Sequence, residues 1–150
     1  MSLIEKINGD LKKAMLARDQ FLTGVLRDLK SAFLYEEVAK NKRDTGLDDS
    51  EVETVIVREV KKRDDAITIY NQAGDKERAD REVKEHNILQ AYLPEPLSDD
   101  ELNTIIDDIL SIGEFGPSDM GRVIGSVKSE VGSRADGAKI AMIVKEKLNR

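Results

Sequence analysis

The chain has 150 residues, of which 36% are Asp, Glu, Lys or Arg and 4% aromatic, with a formal net charge of −6. That length suits one domain or two small ones, and the acidic balance argues against strong non-specific nucleic-acid binding. The absence of cysteine excludes disulfides, a thiolate metal site and a cysteine nucleophile.

Every periodic stretch repeats with a helical period, so the expected fold class is all-α. Helix one begins at Ser2, with Glu5 three residues on in capping-box spacing, and carries the stripe Ile4, Ile7, Leu11, Ala14 and Met15. Helix two is expected from about Asp19 to Ala39, with Leu22, Leu26, Leu29 and Phe33 on one face and Val25 beside them. The polar stretch KNKRDTGLDD is a loop, and Asp49 is the expected cap of helix three. The stripe of that helix is Val52, Val55, Ile56, Val60, Ile67 and Tyr70, and Gly74 stops it. Asp75 caps helix four, which is expected to run to about Leu93.

Leu93-Pro94-Glu95-Pro96-Leu97 is the one clear boundary, because a residue before proline avoids the helical region. The expected organisation is an N-terminal four-helix domain over residues 1–93, joined by this proline-containing hinge to a C-terminal three-helix domain over residues 94–150. Ser98 and Glu101 form a second capping box, and Leu97 is placed to staple onto Leu102. Helix five is expected to bury Leu102, Ile105, Ile106 and Ile109. After the loop Gly113 to Ser118, helix six buries Met120, Val123, Ile124, Val127 and Val131. Helix seven, capped by Asp136, buries Ile140, Ala141, Val144 and Leu148.

The N-terminal MSLIEKINGD has no apolar signal core and no arginine-rich transit pattern. No apolar run approaches the about 18 residues of a membrane span. A cytoplasmic protein with no membrane partner is expected.

Catalytic patterns are missing. The one histidine, His86, lies beside the stripe Ala79, Val83, Leu89 and Leu93, the position of a structural side chain at a core margin. No zinc-protease, Walker or dinucleotide-binding pattern occurs, so neither a metal nor another cofactor is expected. The acid pairs Asp64-Asp65, Asp99-Asp100 and Asp107-Asp108 point about 100° apart on a helix, and capping or solvation explains them. Lys61-Lys62-Arg63 is flanked by Glu59 and Asp65 at four-residue spacing, which neutralises much of that cluster. No residue is assigned a catalytic role.

Charge is unevenly spread. Pro94 to Met120 holds eight acids and no base, whereas Gly121 to Arg150 holds seven bases and three acids. Within that basic end, Gly121, Gly125, Ser129 and Gly132 share one side of helix six, flanked by Arg122 and Lys128. Glycine costs a helix interior about 1 kcal/mol relative to alanine, so close approach is the natural compensation. Two readings stay open: the small residues admit another helix, or they expose backbone to a phosphate with the flanking cations assisting. Arg134 and Lys139 stand near the start of helix seven, where anions bind favourably. Lys145, Lys147 and Arg150 suit its C-terminal end.

Several stretches, in order, carry a resemblance over nearly the full length: LRDLKSA from Leu26, EVKKRDDAITIYNQAG, YLPEPLSDDEL, MGRVIG and RADG. The chain resembles the GatB/YqeY family, as a free-standing YqeY-like protein. The resemblance implies a two-domain all-α protein whose C-terminal part is similar to the tail of the B subunit of the glutamine-dependent tRNA amidotransferase. It implies tRNA or a tRNA-amidation complex as partner. The contacts expected from residues and resemblance together are Arg122, Lys128, Arg134 and Lys139 on phosphates, with Gly121, Gly125 and Gly137 permitting close approach. The resemblance covers that tail and neither the kinase-like catalytic body nor the amidase subunit. The expected protein is therefore a non-catalytic accessory module. The alternatives are a component of a carbon–nitrogen ligase with glutamine as amido-N donor, and a protein–protein adaptor without RNA.

Overall fold

The computed structural model describes residues 1–150 and contains seven α-helices, two 3₁₀ turns and no strand. Its chain falls into two compact units, Met1–Leu93 and Pro94–Arg150. No helix is long and apolar enough to cross a membrane.

The first unit comprises α1 (Leu3–Leu16), α2 (Gln20–Ala39), α3 (Asp49–Gln72) and α4 (Lys76–Gln90). Its core gathers Ile7, Leu11, Val25, Leu26, Leu29, Phe33, Val52, Val55, Ile56, Val60 and Leu89, so most of the expected stripes of α1 to α3 point inward. Met15, expected in the α1 stripe, is instead exposed, and Ile67 and Tyr70 of the α3 stripe are only partly buried. Ser2 and Glu5 form the expected reciprocal cap on α1. The cap of α3 is Asp48 rather than Asp49. Asp48 accepts the Glu51 N–H at 2.8 Å, and the Glu51 carboxylate accepts the Asp48 N–H at 3.1 Å. Asp49 instead accepts the N–H of Leu3 at 3.0 Å, one of the α1 donors that has no partner within its own helix. Helix α4 stops at Gln90, short of Leu93.

Polar ties complete this unit. Glu51 also holds Lys42 at 2.6 Å and Lys40 at 3.1 Å, and the Lys42 ammonium, followed by the Asp48 N–H, draws its carboxyl down to about 2. Tyr92 donates to Asp10 at 2.6 Å; burial and this carboxylate raise the phenol above its ordinary range. The expected Glu59–Arg63 pair forms at 3.4 Å, with Arg63 also 3.8 Å from Glu85 on α4. His86 is half-buried with Nε2 3.3 Å from Asp64, beside the core as its sequence position implies.

The second unit comprises α5 (Asp99–Leu110), α6 (Met120–Val131) and α7 (Gly137–Leu148), with 3₁₀ turns at Pro117–Asp119 and Gly132–Arg134. Leu102, Ile106, Val123, Val127, Val131, Ile140, Ile143, Val144 and Leu148 make its core. Ile143 joins the stripe of α7, whereas Ala141 is only partly buried. The buried face of α7 is therefore turned towards Ile143 and Lys147, and the Lys147 side chain is 13% exposed. Its methylene stem covers apolar surface while its ammonium reaches Asp107 at 2.7 Å. Ser98 and Glu101 form the second capping box on α5.

Candidate nucleic-acid interface

Helix α6 divides into two unlike sides. Val123, Val127 and Val131 face the core, four residues apart, and α7 supplies Ile140, Ile143 and Val144 to the same cluster. On the other side Gly121, Gly125, Lys128, Ser129 and Gly132 are exposed. A Cβ built on Gly121 or Gly125 meets no atom within 4 Å. The small residues therefore do not admit α7, which packs on the valine side, and both glycines are open. Ile124, partly buried, is the apolar neighbour of that strip, and it packs towards the core. Gly132 ends the helix at φ +57, a conformation in which a β-carbon is strained.

Two of the seven expected contact residues are drawn together across helices. Lys128 lies over the first turn of α7, and a Cβ on Gly137 would stand 3.2 Å from its Cε and 3.3 Å from its Nζ. A β-carbon at position 137 would require the flexible end of this lysine to shift by a few tenths of an ångström. Asp136 caps the turn beneath it by accepting the Ala138 N–H at 3.0 Å. Lys128 is exposed and forms none of the ion pairs of this unit.

The other three cations are held by the chain. Arg122 pairs with Asp119 at 3.2 Å and lies 5.2 Å from the Phe115 ring centroid. Arg134 donates from Nε to the Glu95 carbonyl at 3.1 Å, while its own carbonyl accepts the Leu97 N–H at 2.8 Å. These two bonds clasp the Glu95–Leu97 segment to the turn before α7. The Ser98 hydroxyl and N–H, with the Arg134 charge adding less, hold the Glu101 carboxyl below its ordinary range. Lys139 is ion-paired with Asp99 across α5 and α7. The site is thus a glycine-open strip with one unpaired lysine, bordered by Arg122 and Lys139, which carboxylates of the chain neutralise, and by Arg134, which a backbone carbonyl holds.

The sequence reading missed the partners of Lys139 and of Lys147 on the same helix. Asp99 and Lys139 are 40 positions apart, as are Asp107 and Lys147, and nothing local announces either pair. Each follows once α5 and α7 bury their stripes together.

Elsewhere the geometry offers little chemistry. No group of three or more His, Cys, Asp or Glu side chains is close enough to hold a metal ion. An open cleft of about 670 Å³ in the first unit is lined by Phe21, Asp75, Glu77, Arg78, Asp80, Arg81 and Lys84. Lys84 lies 4.7 Å and Arg81 6.0 Å from the Phe21 ring centroid, and three carboxylates balance the three cations.

Against known proteins, a family model described as Yqey-like protein matches residues 4–148. No curated protein matches the chain.

Proposed function

The chain belongs to the YqeY-like family, and on that premise we propose that it is a non-catalytic accessory module that engages tRNA, or a tRNA-amidation assembly, through α6 and α7. The observation that carries the reading is the open strip Gly121–Gly125–Lys128, where nothing lies within 4 Å of a Cβ at either glycine. A phosphodiester backbone needs close approach and a positive charge, and this strip offers both. The likeness of this segment to the amidotransferase tail supports RNA over other polyanions. Lys128 is the first contact; Arg122, Arg134 and Lys139 join by exchanging their internal partners for phosphate.

The test is equilibrium binding of a tRNA transcript at low and moderate salt, with wild type and with Arg122, Lys128, Arg134 and Lys139 all replaced by alanine. Binding is expected at low salt, to weaken as salt rises, and to be lost in the fourfold variant. No binding at low salt, or binding indifferent to the four replacements, overturns the reading. Glutamine, ATP and a mischarged tRNA should give no turnover with this chain alone; turnover would favour the ligase alternative.

A further inference from the structure

We infer that the acidic first turn of α5 is an internal competitor for the cationic side of α7, with Asp99 masking Lys139 until a phosphodiester displaces it. The inference rests on the RNA reading above and adds a control on it. Asp99, Asp100 and Glu101 open α5, and all three are exposed. They do not play the same part. Glu101 closes the capping box with Ser98. Asp100 directs no side-chain contact to the cations of α7; its backbone carbonyl accepts the Thr104 hydroxyl at 2.9 Å. Asp99 alone reaches across to α7 and binds Lys139.

The physical consequence is an exchange reaction. When Lys139 moves from Asp99 to a phosphate, a condensed counterion leaves the RNA and a solution cation is drawn to the uncovered carboxylate. The second change is diffuse, because a lone exposed carboxylate condenses no counterion, and it offsets only part of the first in the salt dependence. Lys128 has no carboxylate to uncover, so its contact releases a counterion in full. The wild-type protein should therefore show a shallower salt slope than its count of cations implies. Exposed ion pairs are individually weak, so the mask is easily lifted by a dense polyanion and hardly at all by an isolated charge.

The experiment compares Asp99→Asn with Asp100→Asn, using one tRNA transcript across a salt series. Both changes remove one negative charge from the same helical turn, and only the first frees Lys139. Each variant is checked for unchanged thermal unfolding. Asp99→Asn is expected to bind about two- to fivefold tighter than Asp100→Asn, the range set by an exposed ion pair. Its log–log salt slope should be steeper, by a fraction of the about 0.7–0.9 that one full phosphate contact contributes. In a Lys139→Ala background the advantage of Asp99→Asn should vanish. Equal gains from the two asparagines, with wild type binding, overturn the mask and leave the RNA reading standing. No binding by wild type or by Asp99→Asn at low salt overturns both.

Discussion

Replacing Gly125 with alanine separates stability from binding at a single atom. The residue is in the interior of α6, its side of the helix is exposed, and a Cβ there meets nothing within 4 Å. The added methyl encounters no clash and fills no cavity, so only the helix-propensity difference remains. That difference is about 1 kcal/mol in favour of alanine, because glycine loses more backbone freedom on folding. For the second unit, Pro94–Arg150, the gain corresponds to a rise of about 4–8 °C in its Tm. Urea unfolding followed by circular dichroism measures it, read as a shift in midpoint at constant slope. Gly24→Ala in α2 is the matched control, since its Cβ position is equally open in a helix outside the proposed interface. Both variants should be stabilised alike, and only Gly125→Ala should weaken tRNA binding. Destabilisation by Gly125→Ala would show that the strip is packed against something, and the argument for an open backbone would fail. Undiminished binding by a stabilised Gly125→Ala would show that the glycine is not used for close approach.

Three further outcomes follow from the same structure. Burial, and the neighbouring Glu82 carboxylate after it, raise the Glu85 carboxyl against the opposing charges of Arg63 and Arg81, with Glu59 on the far side of Arg63. A raised carboxyl stabilises the fold below its unfolded value and loses that contribution as pH climbs through the folded one. Urea midpoints should therefore fall from the ordinary carboxylate range towards neutrality in wild type and fall less in Glu85→Gln; parallel profiles would refute this. Glu51 has the opposite sign: with its carboxyl at about 2, it stabilises above the unfolded value and loses this as pH falls through about 2. Glu51→Gln should be weaker at neutral pH, its deficit closing in acid, by the same titration. Ile106, 0% exposed, lies at the centre of the second unit. Its replacement by alanine should cost about 2–5 kcal/mol, read as lost amide protection in α5 to α7 by hydrogen exchange.

The helices were legible because each carries its own instructions. Apolar residues spaced three and four apart marked α1 to α7, and Ser2, Ser98 and Asp136 announced three starts through their own side chains. The misplaced cap of α3 was within reach of the same reasoning. Asp48 and Glu51 stand three apart, which the capping box requires, whereas Asp49 has Val52 at that spacing. The omission of Ile143 was also local: it stands three residues after Ile140, and counting it turns the stripe of α7 away from Ala141. Ion pairs between helices belong to another class. Asp99–Lys139 depends on how α5 and α7 are rotated about their axes, which their buried stripes decide jointly. No window along the chain contains that information.

That distinction bears on how the basic end should be understood. Seven bases against three acids read as a cationic tail when counted along the chain. Folding pairs three of those bases with acids of the preceding segment, Arg122 with Asp119, Lys139 with Asp99 and Lys147 with Asp107. The field outside the second unit is weaker than the count implies, so the recognition proposed here draws on geometry as well as charge. The open side of α6 supplies such geometry, because a rod-like helix with no side chain at Gly121 and Gly125 lets a partner's backbone come nearer than any neighbouring position allows. On the proposed reading, an acidic protein that grips RNA loosely until it is seated would avoid indiscriminate binding to every polyanion it meets. The seated complex would still gain the charges of Arg122 and Lys139 once their carboxylates are displaced.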